Sequence, residues 1–192
     1  ATSTNTATPT STPTATSTAS PSPTNTPVYP YATVTLPIVA AVQASTISVP
    51  ITVSDTTGLG IVSYDLHVSF DPAVVMPASP AFDSAGTISN GMSVVTNTTN
   101  TAHLILNADV PGANPPLVGS GTLVNLIFNV VGTPGQATVL AFEDYRDPGN
   151  VLHQGFVFNN GGIPVALRTN GSVTIAADST PTPTYTGTPV AT

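Results

Sequence analysis

Lysine, cysteine and tryptophan are absent from this chain of 192 residues, and its only cations besides histidine are Arg146 and Arg168. With so little positive charge the chain cannot neutralise phosphates, which excludes nucleic acid and anionic membrane as partners. Without cysteine there is neither a disulfide staple nor a thiolate metal site. Charged residues make up 6% of the chain, against roughly 25% in ordinary globular domains. Solubility therefore rests on hydroxyls, amides or attached sugar. The longest apolar run, residues 36–42, contains Pro37 and is far too short to span a bilayer. No basic segment followed by an apolar one opens the chain. Ala1 is compatible with the position after a cleaved secretion signal, and the expected location is extracellular, at a cell surface.

What is present divides the chain in three. Residues 1–27 contain only Ala, Thr, Ser, Asn and Pro, sixteen of them Thr or Ser and five Pro. Such a segment has no apolar surface to bury and cannot repay the entropy of forming a core. Its prolines bias it towards an extended polyproline II form, about 80 Å long at full stretch. Residues 178–192 repeat the composition. Both ends are read as stalks, with Thr8, Thr10, Thr12, Thr14, Thr182 and Thr184 as expected O-glycan acceptors.

Residues 28–177, between the stalks, carry strand patterning. Ile47, Val49, Ile51 and Val53 alternate with polar or proline positions, as do Val62, Tyr64, Leu66, Val68 and Phe70. Leu104, Leu106 and Ala108 form a third apolar row, and shorter strands are expected over 123–131, 137–142, 155–158, 163–167 and 172–175. Period-two alternation means one buried and one wet face, the pattern of an antiparallel β-sandwich. Turn signals such as Asp71-Pro72, Pro111-Gly112 and Asn170-Gly171 separate the rows. No sustained helical period occurs; residues 71–75 offer one helical turn at most.

Catalysis finds little to work with. The three histidines, at 67, 103 and 153, are scattered, and His67 and His103 fall at wet-face positions. Glu143 and Asp144 are adjacent, so on a strand they point to opposite faces and cannot act as a paired acid and base. The chain is not expected to be an enzyme, and no cofactor is expected beyond calcium. For that ion Glu143, Asp144, Asp147 and Asn150 are the one candidate oxygen cluster, although Arg146 competes within it. Asn97 and Asn170 begin acceptor triplets for N-linked sugar, and Asn170 is also the expected turn residue of a hairpin. Sugar binding by stacking would need exposed aromatics, and Tyr64 and Phe70 read as core.

Residues 28–42 admit two roles. Val34, Leu36, Ile38, Ala40 and Val42 alternate, which suits the first strand of the domain. The same pattern behind a flexible stalk suits a donor strand that pairs with the next subunit and builds a head-to-tail filament.

Four segments, in order, carry a family resemblance: 47–53, 60–72, 121–130 and 170–175. The second, Gly60-Ile61-Val62-Ser63-Tyr64-Asp65-Leu66-His67-Val68-Ser69-Phe70-Asp71-Pro72, resembles the third-strand signature of cohesin modules. The third resembles their Gly-x-Leu-x-x-Ile-x-Phe-x-Val strand, and the resemblance covers roughly residues 34–176. The resemblance implies a jelly-roll sandwich of about nine strands that docks a calcium-loaded dockerin on one sheet face. It also implies that Ser63, Asp65 and His67 lie on that face. The chain departs from the family at Ser63, where Asn is more usual, and at Gln43-Ala44-Ser45, which replaces a Pro-Gly-Asp turn. Stalks at both ends and scarce charge put structural assembly first: a glycosylated subunit of a fibre or surface array, built by contacts between copies. Recognition of a dockerin-like partner is the alternative.

Overall fold

The computed structural model describes residues 31–99, 102–112, 114–146, 149–163 and 165–177. Nearly all the apolar rows become strands. A five-stranded sheet contains β1 (Ala32–Thr35), β3 (Thr46–Val53), β5 (Val75–Asp83), β8 (Gly121–Val130) and β13 (Val165–Thr169). Its order is β13-β1-β3-β8-β5. The opposing seven-stranded sheet contains β2 (Ile38–Val42), β4 (Ser63–Ser69), β6 (Ser93–Asn97), β7 (His103–Asp109), β9 (Ala137–Phe142), β12 (Phe156–Phe158) and β14 (Gly171–Ala176). Its order is β2-β14-β9-β4-β7-β6, with β12 also paired to β4. The remaining strands, β10 (Tyr145–Arg146) and β11 (Leu152–His153), form a small separate hairpin.

The fold is the expected all-β sandwich. Val49, Ile51, Tyr64, Leu66, Leu104, Leu106, Leu126 and Phe128 are all at most 1% exposed and fill the space between the sheets. Burying each such side chain contributes about 1.5–3 kcal/mol. Aromatic rings interlock there: Phe70 meets Phe128 edge-on at 5.3 Å, and Phe156 meets Phe158 edge-on at 4.9 Å. Tyr64 lies in this core, and burial pushes its phenol up to about 12.

Among the described residues the strand segments outnumber the nine expected, in part because the first and last strands each change sheets midway and in part because of the β10–β11 hairpin. β1 pairs with β13 and β2 with β14, both in parallel, while the other pairings are antiparallel. The switch falls at Pro37 and Asn170. Leu36 N–H donates to Thr169 O at 2.9 Å, and Ser172 N–H donates to Pro37 O at 3.1 Å. The two backbones touch so closely that a Cβ on Gly171 would lie 2.1 Å from Pro37 O. Asn170-Gly171 is therefore a point of exchange between sheets rather than the tip of a hairpin, since β13 and β14 belong to different sheets.

The same switch corrects the reading of residues 34–42. Val34 and Leu36 are buried in their own core, but past Pro37 the phase reverses. Ala41 then points inward, and Ile38, Ala40 and Val42 are exposed, with Ile38 at 84%. Within this chain the segment pairs with β3, β13 and β14 in its own two sheets.

Besides the β10–β11 hairpin, two strands escaped the sequence reading. β5 carries Pro77 and Pro80 and slips register against β8 between Pro77 and Phe82, which an edge strand tolerates. Among the described residues β6 is an edge strand that pairs only β7. Residues 71–75 form a single turn, with Asp71 O accepting from Val74 and Val75 N–H.

Candidate partner-docking face

Even-numbered residues of β4 and β7 point into the core, so the odd-numbered ones form the outer face. Pairing sets them in rows across the sheet. Val95 of β6, Asn107 of β7, Asp65 of β4 and Val157 of β12 are successive register partners. The next row is Asn97, Ile105 and His67. Asn107 Nδ2 donates to Asp65 Oδ1, tying the centre of the face together. Ser63 is placed by Asn159, whose Oδ1 accepts from the Val62 and Ser63 N–H groups at 2.9 and 3.0 Å.

Over this face the chain makes an excursion. After Phe142 it leaves β9, forms the β10–β11 hairpin and returns as β12 along β4. The crossing is tight. Glu143 N–H donates to His67 O at 3.1 Å, and His67 N–H donates to Gly155 O at 2.9 Å. A Cβ on Gly155 would meet Glu143 N and Phe142 C at 2.5 Å, so only glycine fits without displacement.

The hairpin corrects the expectation for His67. Its ring is 3% exposed rather than wet, because Tyr145 covers it edge-on at 4.2 Å. His67 Nδ1 donates to Glu143 O at 2.7 Å; a carbonyl only accepts, so that nitrogen carries the proton. Nor are the histidines scattered. His103 lies 4.6 Å from His67, ring centre to ring centre, and His153 stacks on Tyr145 at 4.8 Å. Three strands far apart in sequence bring all three imidazoles together. Burial holds the His67 imidazole below its ordinary value, helped by His103 and His153 and opposed by the Glu143 carbonyl. Beside the cluster a cleft of about 510 Å³ is lined by Asp65, Asn97, Ile105, Asn107, Leu152 and Val157, among others.

Two of the calcium candidates have partners within the chain. Asp144 Oδ1 accepts from Gly155 N–H and from Arg168 Nη1, both at 2.7 Å. These donors hold its carboxyl below the usual range, the Gly155 N–H contributing most. Asn150 O accepts from Arg146 Nη1 at 2.8 Å. Asp147 lies outside the described residues. Among the described residues no three His, Asp or Glu side chains stand where they could share a metal ion. Of the four candidates, Asp144 and Asn150 thus have partners within the chain.

The glycan candidates separate in the same way. Asn97 is exposed but lines the cleft, and its Oδ1 accepts from Thr99 N–H at 3.0 Å. A sugar there would stand on the docking face. Asn170 Oδ1 accepts from Phe142 N–H at 3.0 Å, tying the sheet switch to β9. The threonines at 8, 10, 12, 14, 182 and 184 lie outside the described residues.

Comparison with known proteins decides the family: the sequence model of the cohesin domain matches residues 32–175. The chain belongs to the cohesin family. Cohesin domains are protein-binding modules, typically extracellular or cell-surface scaffold components. Similar solved structures include the third cohesin ScaC of Acetivibrio cellulolyticus in complex with the ScaB dockerin, at TM-score 0.57 and 18% identity. That match covers 76% of this chain and 99% of the other. A non-cellulosomal cohesin from the archaeon Archaeoglobus fulgidus matches at TM-score 0.52 and 18% identity, covering 78% and 94%. CaCohA2 from Clostridium acetobutylicum matches at TM-score 0.52 and 18% identity, covering 78% and 93%. At such identities the likeness carries the fold. No curated protein matches the chain. Among the described residues no helix is long and apolar enough to cross a membrane.

What sequence reasoning missed is the hairpin. Its strands are two residues each and show no period, so no local pattern marks it.

Proposed function

We propose that this cohesin domain is a non-catalytic recognition module, displayed outside the cell on glycosylated Thr/Ser/Pro stalks over residues 1–27 and 178–192. It docks a dockerin-like partner on the outer face of β9, β4, β7 and β6. The observation that carries this reading is the Val95–Asn107–Asp65–Val157 row, a polar pair flanked by exposed or half-exposed apolar side chains. Hydrogen-bonding groups ringed by apolar contact suit a specific protein interface. The ScaC cohesin of Acetivibrio cellulolyticus was solved with a dockerin bound, which supports the same class of partner here. Ser63 and Asp65 contact the partner directly, whereas His67 acts through the hairpin that covers it. Calcium belongs to the partner in this reading.

Calorimetric titration of the full chain with dockerin modules, in calcium and in chelator, tests the proposal. Calcium-dependent binding is expected, weakened about tenfold or more by Asp65→Ala. Absence of any dockerin binding, or full affinity in the variant, overturns it.

Assembly of copies into a fibre is the second reading. The observation that favours it is the β2 edge, which among the described residues pairs only β14 and carries no charge to deter another strand. Electron microscopy showing only monomers would end it.

A further inference from the structure

We propose that Asn90-Gly91, in the loop between β5 and β6, is a site of self-modification, where Asn90 deamidates to aspartate and isoaspartate without an enzyme. The step is independent of the docking reading above and gives the protein a surface that changes with age.

The sequence holds three Asn-Gly pairs, beginning at 90, 160 and 170. Asparagine is a thermolabile residue, and a following glycine leaves the next amide nitrogen unscreened by any Cβ. The side chain of Asn160 lies outside the described residues. The other two pairs are alike in chemistry and opposite in setting.

Asn90 and Gly91 are both exposed. One hydrogen bond spans them, from Met92 N–H to Ser89 O at 3.0 Å. Gly91 takes φ +91°, and nothing lies within 4 Å of the place a Cβ would occupy. Among the described residues neither the Asn90 side chain nor the Gly91 N–H meets a hydrogen-bond partner. Opening a single turn frees the pair to rotate, and such local openings need far less free energy than unfolding. At Asn170 every one of these freedoms is gone. Its Oδ1 accepts from Phe142 N–H at 3.0 Å, which fixes the group that would be attacked. Gly171 is buried in β14, in register with Leu140 of β9. A Cβ there would lie 2.1 Å from Pro37 O, so the backbone has no room to turn.

At Asn90 the Gly91 nitrogen gives its proton to hydroxide and attacks the side-chain Cγ. The bond from Cγ to the side-chain nitrogen breaks, and ammonia leaves after taking a proton from water. A cyclic succinimide results. Water then opens it at either carbonyl, giving aspartate or, with the main chain rerouted through Cγ, isoaspartate. The net change is one ammonia lost and one water gained, with nothing oxidised or reduced.

Asn90 lines a groove of about 240 Å³ with Ile88, Met92, Pro111, Pro116 and Leu117, and no lining residue is charged. Aspartate places a carboxylate in that groove. Isoaspartate also adds a main-chain atom between the buried Ser89 and β6, the edge of the proposed docking face.

Ageing the full chain in mildly alkaline buffer, with chymotryptic peptides followed by mass spectrometry, tests the site. In the folded chain Asn90 should convert about tenfold or more faster than Asn170. In urea, which releases both pairs, the two rates should come within about threefold of each other. Asn90→Gln keeps an amide at this exposed position but lengthens its reach to the Gly91 nitrogen. That variant should lose the acidic form that accumulates on ion exchange. Equal rates at Asn90 and Asn170 in the folded chain overturn the proposal, as does undiminished acidic form in Asn90→Gln. A tenfold difference that persists in urea overturns it too, because the preference would then belong to the local sequence and not to the fold.

Discussion

The two ends of the seven-stranded sheet share one core and one structural device, yet they present opposite surfaces. At the β4–β7 end the outer face carries a carboxylate, amides and three imidazoles under a hairpin. At the β2–β14 end, and in β9 beside it, no strand residue is charged at all. Both ends depend on a glycine where two backbones cross, Gly155 at one and Gly171 at the other. The contrast teaches that chain crossings build the frame, while the excursion between β9 and β12 adds the chemistry. Fold and function can therefore be perturbed separately.

Gly171→Ala should have the largest effect. Its Cβ would lie 2.1 Å from Pro37 O, and backbone cannot rotate aside. The switch of both terminal strands would be pried open, with a stability loss of about 3 kcal/mol or more read by urea unfolding. Gly155→Ala comes next. Its clash, at 2.5 Å, falls where the hairpin leaves and re-enters the sheet. A loss of about 2 kcal/mol is expected, with faster hydrogen exchange confined to residues 143–158. If the order were reversed, or if Gly155→Ala loosened β2 and β14, the two ends would not be independent.

Half of this contrast was legible in the sequence. The rows Tyr64, Leu66, Val68 and Leu104, Leu106, Ala108 follow a strict period of two, and each is buried as that period requires. Asp65 was placed on the outer face by the same argument. The reversal at Pro37 was hidden, because Val34, Leu36, Ile38, Ala40 and Val42 are apolar throughout and a phase change leaves no trace in such a run. The histidine cluster was hidden for a different reason. Positions 67, 103 and 153 meet only after β4 pairs with β7 and the hairpin folds back, and no local period encodes a contact of that range. Arg168 likewise finds Asp144 across the excursion, where the sequence offered Arg146 as the nearer cation.

Acid should sharpen the contrast at the histidine end alone. The His67 imidazole is held below its ordinary value chiefly by burial, so the unfolded chain binds the proton more readily. Stability from this group is present above the ordinary histidine value of about 6.5 and is lost as pH falls through it towards the lowered folded value. Urea midpoints of the parent should therefore drop between about pH 7 and pH 5, and His67→Gln should flatten that drop. A parent curve with no slope across this window would remove the electrostatic distinction between the ends.

The smallest effect belongs to the uncharged end. Ile38 is 84% exposed on β2, so replacing it removes almost no buried area. Ile38→Thr keeps the β-branch that suits a strand while adding a hydroxyl to an exposed site. Stability should stay within about 0.5 kcal/mol of the parent, and dockerin affinity should not change. A loss of solution self-association in Ile38→Thr, read by sedimentation at high concentration, would instead give the β2 edge a role. The apolar exposure at Ile38 would then be a contact between copies, because a hydroxyl weakens apolar burial without altering the free strand. With no self-association in either protein, the uncharged end is only the frame on which the other end is carried.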